Sequence, residues 1–395
     1  MKKQIKDFDL KGKKVIIRCD FNVPMEDGKI TDNTRIKSSL KTIRYAVNHG
    51  GKVILLSHLG RIKEDKDKEK YSLKLVSDEL SKLLKKKVKF INKTKGKEVE
   101  NAVKQMKEKE IILLENTRFE DLDGKKESKN DKELGKYWAN LGDIFINDAF
   151  GTIHRNHASN VGIASNLPSG LGMLVNKEIK VLNKLLKNPK KPYVIVLGGA
   201  KVSDKLDLIK NLVKKADYIL IGGGMAFTFL KAAGFSIGSS LLEKDKLSEC
   251  QKLLDEYPEK IILPIDIITS DKISNDAKTH LRFINEIEED EMGLDIGVGT
   301  IKVFKQYLED SKTIFWNGPM GCFEYKPFEE GTKSLCEIIA NTDAYKVIGG
   351  GDTISAVTKF GFEDKMDHLS TGGGASLTYL EGKKLEALDI IDEKE

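Results

Sequence analysis

The sequence predicts an α/β protein built as two doubly wound parallel-sheet domains joined by a helix hinge. Three observations carry this expectation. Short β-branched runs alternate with helical-period segments from Lys13 onward, the pattern of βαβ units. The alternation restarts in the second half of the chain, which implies a second sheet. The length of 395 residues also exceeds one average domain of roughly 100–200 residues.

In the first half the expected strands are Val15–Cys19, Val53–Ser57, Val88–Ile91, Ile111–Glu115 and Ile144–Asn147. Between the first two, Ile36, Leu40, Ile43 and Val47 recur on one helical face, and Gly50-Gly51 stops the helix. A second helix opens at Ser72 and repeats Leu73, Val76, Leu80 and Leu83. The nearly all-charged stretch from Lys63 to Lys70 reads as a solvated loop. From Val175 to Leu186 the apolar residues Ile179, Leu182 and Leu186 mark a connecting helix, followed by the stiff turn Asn188-Pro189-Lys190-Lys191-Pro192. The second-half strands are Tyr193–Leu197, Tyr218–Ile221, Ile261–Pro264, Thr313–Trp316 and Lys346–Ile348. The expected divisions are an N-terminal domain at 1–172, a hinge at 173–192, a C-terminal domain at 193–376 and a final segment at 377–395.

Hydrophobic residues make up 39% of the chain and charged residues 32%, which excludes collagen-like, low-complexity and wholly disordered classes. Sixty-seven Lys and Arg against 61 Asp and Glu leave only +6, so no dedicated nucleic-acid binder is expected and any anion site must be local. Cys19, Cys250, Cys322 and Cys336 are widely separated and form no metal or disulfide spacing, which suits a reducing cytosol. No apolar run approaches the ~18 residues that span a bilayer. Early lysines interrupt any secretory segment, and the expectation is a cytoplasmic protein without membrane contact.

Ligands of open parallel sheets bind beyond the carboxyl ends of the strands, and there the two halves differ. First-half strands run into Asp20-Phe21-Asn22, Ser57-His58-Leu59-Gly60-Arg61, Asn116-Thr117-Arg118 and the segment from Asp148 to His154-Arg155. Arg61, Arg118 and Arg155 thus come from separate loops, joined by Arg35 at the start of the first helix. Converging guanidinium forks suit a compact polyanion. Second-half strands run into glycine: Gly198-Gly199-Ala200-Lys201, Gly222-Gly223-Gly224, Asn317-Gly318-Pro319-Met320-Gly321 and Gly349-Gly350-Gly351-Asp352-Thr353, with Gly372 to Gly374 following. Glycine lets backbone N–H groups approach phosphate closely, so this half reads as a nucleotide platform. Neither a Walker A motif nor a GxGxxG fingerprint is present. Asp352 suits either a Mg²⁺ ligand or a helix cap.

At these residues the chain closely resembles the phosphoglycerate kinase family. Arg18 to Pro24, Ser57 to Arg61, Asp148 to Arg155, Gly198 to Lys205, Trp316 to Glu324, Gly349 to Thr353 and Ser370 to Ser376 match in order. The resemblance implies two Rossmann-like lobes and reversible transfer of the acyl phosphate of 1,3-bisphosphoglycerate to Mg-ADP, giving 3-phosphoglycerate and Mg-ATP. It also implies a glycolytic enzyme that is a monomer. By position, Asp20, Phe21, Asn22, Arg35, His58, Leu59, Gly60, Arg61, Arg118 and Arg155 would hold the phosphoglycerate. Gly199, Ala200, Lys201, Lys205, Gly223, Gly293, Leu294, Asn317, Pro319, Glu324, Gly350, Gly351, Asp352 and Thr353 would hold the nucleotide, with Asp352 on Mg²⁺. Arg35, Lys201, Gly351 and Gly372 would be the catalytic set. The last segment, Leu385 to Glu395, would return to the first lobe.

Four places depart from the family's pattern: Ile62, Glu120 to Glu127, Val298 and Glu386-Ala387. They bear on loop shape, because none removes a charged group assigned above. A nicotinamide-dependent dehydrogenase is disfavoured by the missing fingerprint. A simple polyanion-binding module would leave the glycine platform without a purpose.

Overall fold

The runs Val15–Ile17, Val53–Leu56 and Ile111–Leu114 are buried at every residue, as strands of a parallel sheet covered on both faces must be. In the computed structural model, which describes residues 1–394, the chain divides into two units. One comprises Met1–Lys180 together with the segment from Lys384 onward, and the other comprises Val181–Lys383.

The first unit centres on a six-stranded sheet with every neighbouring pair parallel. Named by first residue, its strands lie in the order Val88, Ile111, Lys52, Lys14, Ile144, Ser169. Helix Thr34–Asn48 buries Ile36, Leu40, Ile43 and Val47, and helix Lys74–Leu84 buries Val76 and Leu80. Both faces are those the periodicity predicts.

Three features of this unit go beyond the sequence reading. Ser169–Leu171 forms an edge strand too short and too glycine-containing to show a β-branched run. Met25–Glu26 and Lys29–Ile30 form a small antiparallel hairpin. The charged stretch from Lys63 to Lys70 is not loop throughout, because Asp67–Lys70 makes a helical turn. There the Asp67 carboxylate accepts the N–H groups of Lys63 and Glu64 at 2.8 and 3.1 Å. The C-terminal segment lies in this unit, with Lys3 N–H donating to the Asp392 carbonyl at 2.7 Å. Glu395 lies outside the described residues.

The second unit has its own six-stranded parallel sheet, in the order Ile261, Tyr218, Tyr193, Thr313, Tyr345, His368. Beside it stands an antiparallel sheet the sequence did not announce, with Asp266–Ser270 between His280–Phe283 and Met292–Ile296. The run expected at Ile261–Pro264 is a strand only over Ile261–Ile262, since Pro264 lacks a ladder donor and the chain then enters the second sheet. Met292–Ile296, which carries a glycine and an aspartate, shows no β-branched run at all.

The connecting helix spans Met173–Lys187, and the division between the units falls within it. Asp148, fully buried, caps its start by accepting the Leu174 N–H at 2.9 Å. A side chain at Gly172 would stand 2.1 Å from the Asp148 Oδ1. The second unit extends to Lys383, past the expected boundary at 376, because helix Gly374–Leu380 is held there by the Asn211 amide donating to the Leu380 carbonyl at 2.6 Å. The four cysteines are unbridged, and no helix of the described residues is long and apolar enough to cross a membrane.

Candidate active site

The first unit's strand ends enclose a polar pocket of about 530 Å³. Asn22, His58, Gly60, Arg61, Arg118 and Arg155 line it, so all six come from the strand-end loops singled out in the sequence. Lys63, Asp67 and Tyr71 complete the wall. The loop from Ser57 to Arg61 is shaped from below by Asn116, which is fully buried. Its side chain accepts the Leu59 and Arg118 N–H groups at 3.2 and 3.0 Å and donates to the Leu59 and Tyr71 carbonyls at 2.7 and 2.9 Å. Gly60 sits at φ +61 against the Tyr71 ring, where a Cβ would meet ring carbon at 2.4 Å. Its N–H donates to Asn22 Oδ1 at 2.8 Å.

Not every expected residue faces this pocket. Arg35 and Asp20 form an ion pair with each other near Gly151, outside the pocket lining. Phe21 and Leu59 are buried in the hydrophobic core, which leaves only their backbone groups to offer a ligand.

Burial holds His58 well below its ordinary pKa, and the nearby Arg18 and Arg118 charges add to the effect, so the ring is neutral. His157 is pushed down to about 3 for the same reasons. The buried Arg118, which lines the pocket, and the exposed Arg61 keep the pocket cationic, since arginine does not lose its proton in proteins.

In the second unit the glycine turns stack on one another at the strand ends. Gly199 N–H donates to the Pro319 carbonyl, and Gly223 N–H to that of Met320, both at 3.0 Å. A pocket of about 290 Å³ opens beside them. Gly199, Ala200, Gly223, Gly293, Leu294, Pro319, Glu324 and Asp352 line it, as do the unpredicted Phe227 and Met320. Gly293 is required by Phe227, whose ring would stand 1.9 Å from a Cβ there. Apolar walls with glycine edges suit a flat heterocycle.

The remaining expected residues form a polar group of their own. The Lys205 ammonium donates to Asn317 Oδ1, and burial lowers the lysine pKa against the pull of Asp204 and Asp352. Gly318 N–H donates to Thr353 Oγ1 at 2.6 Å. Gly350 caps helix Gly351–Lys359 at φ +89, close against the Asn317 amide. Asp352 is exposed in the first turn of that helix. Lys201 is exposed.

The family model of phosphoglycerate kinase matches residues 5–383. The chain belongs to the phosphoglycerate kinase family. Phosphoglycerate kinases of Listeria innocua and Enterococcus faecalis are each 56% identical to it, over 394 and 395 residues, with all of both chains covered. The solved phosphoglycerate kinase of Coxiella burnetii superposes with a TM-score of 0.90 at 41% identity over 99% of each chain. That of Pyrococcus horikoshii gives 0.84 at 32% identity over 98% of each chain. The expected fold is therefore the observed one, and the family's reaction is the glycolytic phosphotransfer to a carboxyl group.

Phosphoglycerate kinase sequence motifs did not single out every residue that shapes the two pockets. Asn116 was visible as a strand-end residue but carried no charge to mark it. Phe227 and Met320 look like ordinary core positions, and only the antiparallel sheet reveals what they line.

Proposed function

We propose that the arginine pocket holds 3-phosphoglycerate or 1,3-bisphosphoglycerate and that the glycine-edged pocket holds ADP or ATP. The observation that carries this division is chemical: the first pocket is walled by arginine, histidine and asparagine, the second by glycine, phenylalanine, methionine and leucine. Residues 1–172 then act as the phosphoglycerate-binding domain and 193–376 as the nucleotide-binding domain, with 173–192 as the hinge and 377–395 leading back to the first domain.

In the ATP-consuming direction a carboxylate oxygen of 3-phosphoglycerate attacks the γ-phosphorus, and the bond from that phosphorus to the β–γ bridging oxygen breaks. The carboxylate is already ionised at neutral pH, so no general base is needed, in keeping with a neutral, anion-facing His58. The work left to the protein is in-line positioning and stabilisation of the transferring group. Arg35 and Lys201 supply charge, and the N–H groups of Gly351 and Gly372 supply donors. Lys205, Asn317 and Thr353 fix the phosphates of the nucleotide.

The donor set fits Mg²⁺. Asp352 offers one exposed carboxylate, and no group of three or more acidic, His or Cys residues gathers among the described residues. That is the arrangement expected of a cation held chiefly by nucleotide phosphates and water. Bound there, Mg²⁺ would neutralise phosphate charge.

The two pockets belong to different units, and in this reading movement about 173–192 brings the two reactants into line and excludes water as a competing acceptor. Small-angle scattering of the monomeric, cytoplasmic enzyme is expected to show contraction with 3-phosphoglycerate and Mg-nucleotide together. Unchanged dimensions at saturation of both would contradict the hinge role of 173–192.

A further inference from the structure

Beneath the arginine pocket lies a charged cluster that the reaction itself does not call for. Arg18, the last residue of its strand, is completely buried. Its Nε donates to Ser159 Oγ at 2.8 Å, and its Nη1 donates to the Cys19 carbonyl. Its Nη2 stands 3.3 Å from His58 Nδ1 and 3.9 Å from Glu127 Oε1. Glu127, also fully buried, accepts the Ser159 N–H at 2.9 Å and the Ser159 hydroxyl. Burial raises the Glu127 pKa and Arg18 opposes that rise.

A guanidinium has five N–H donors and no acceptor. The ring nitrogen facing it must therefore accept, which leaves the His58 proton on Nε2. Nδ1 is turned toward buried Arg18, and Nε2 has no partner among the described residues, although His58 lines the pocket. We propose that Arg18 is a positioning residue that fixes His58 as the neutral Nε2–H tautomer, so that the ring meets the bound anion as a hydrogen-bond donor. Glu127 is the counter-charge that allows Arg18 to remain buried, and it braces Ser159 in the segment following Arg155. The charged and titratable groups facing His58 are Arg18, Arg118, Arg155 and His157, all of which disfavour its protonation. The chemical consequence for the anion rests on the phosphoglycerate reading of the pocket, whereas the tautomer does not.

The test is two-bond ¹H–¹⁵N correlation spectroscopy of the full-length chain labelled at its six histidines, with His58 identified through His58→Gln. The expected spectrum shows His58 as the Nε2–H tautomer, unchanged from about pH 5.5 to 8. Titration in that range, or an Nδ1–H tautomer, overturns the proposal. Arg18→Met is expected to release the tautomer and to raise the 3-phosphoglycerate dissociation constant roughly tenfold, with Mg-ADP affinity unchanged. A His58 that keeps the Nε2–H form in a folded Arg18→Met protein also overturns it. If that variant does not fold, the wild-type spectrum alone decides. Added 3-phosphoglycerate should shift the Nε2–H resonance. A fixed tautomer with no such shift supports the role of Arg18 and overturns the phosphoglycerate reading of the pocket instead.

Discussion

Lys201→Ala is expected to lose 10²–10³ in kcat while its nucleotide KM stays within a few-fold of wild type, the usual scale for removing one preorganised donor to a transition state. Lys201 follows the Gly198-Gly199 turn and is exposed, free of the hydrogen bonds that tie Lys205 to Asn317. An ammonium that meets the phosphoryl group only as charge develops contributes to turnover more than to binding. Lys205 is the contrasting case, half-buried and already engaged beside Thr353, so Lys205→Ala is expected chiefly to raise KM for ATP. Steady-state kinetics of both variants separate the roles. A Lys201→Ala enzyme with normal kcat and raised KM would make that residue a binding group only.

Gly198→Ala and Gly351→Ala should fail in opposite ways. A Cβ at Gly198 would stand 2.0 Å from the Pro319 carbonyl oxygen and 2.7 Å from that of Gly318, both backbone atoms that cannot turn aside. Overpacking of this kind costs on the order of 3 kcal/mol. In a unit of this size that lowers Tm by roughly 10 °C. At Gly351 nothing lies within 4 Å of an added Cβ, and the residue is already helical. Gly351→Ala is therefore expected to keep its Tm while weakening nucleotide binding and turnover at least tenfold, because the methyl group occupies the space assigned to phosphate. Calorimetric melting and nucleotide titration of the pair check this. Equal melting temperatures would contradict the packing argument, and unaltered nucleotide binding by Gly351→Ala would contradict the phosphate assignment.

The sequence carried the parallel sheets because their central strands hold unbroken apolar runs, such as Val15–Ile17 and Val53–Leu56, and their helices repeat apolar residues every three to four positions. It could not carry the antiparallel sheet of Asp266–Ser270, His280–Phe283 and Met292–Ile296, whose strands hold His280 and Arg282 in one and Gly293 and Asp295 in another. Gly293 and Leu294 were thus reachable only through the family resemblance. The arginines of the first pocket were legible because each follows a strand, and charge at a strand end is a conspicuous signal. Arg18 lay in the same motif, yet its burial depends on which face of the sheet it occupies and on Glu127, more than a hundred positions away. The glycines were legible as turns, but their reasons differ: Gly198 and Gly223 admit neighbouring backbone, whereas Gly199 and Gly351 border open space. Only the packing of three strand ends against one another separates those two kinds.

The central claim is that phosphoglycerate and nucleotide are held by separate pockets in separate units. Arg61 tests it most directly, because it is exposed, lines the first pocket and belongs to a different unit from the glycine platform. Isothermal titration of Arg61→Ala should show 3-phosphoglycerate affinity reduced at least tenfold, as expected for a lost charge-assisted contact, with Mg-ADP affinity close to wild type. Equal losses for both ligands in a folded Arg61→Ala protein would contradict the division.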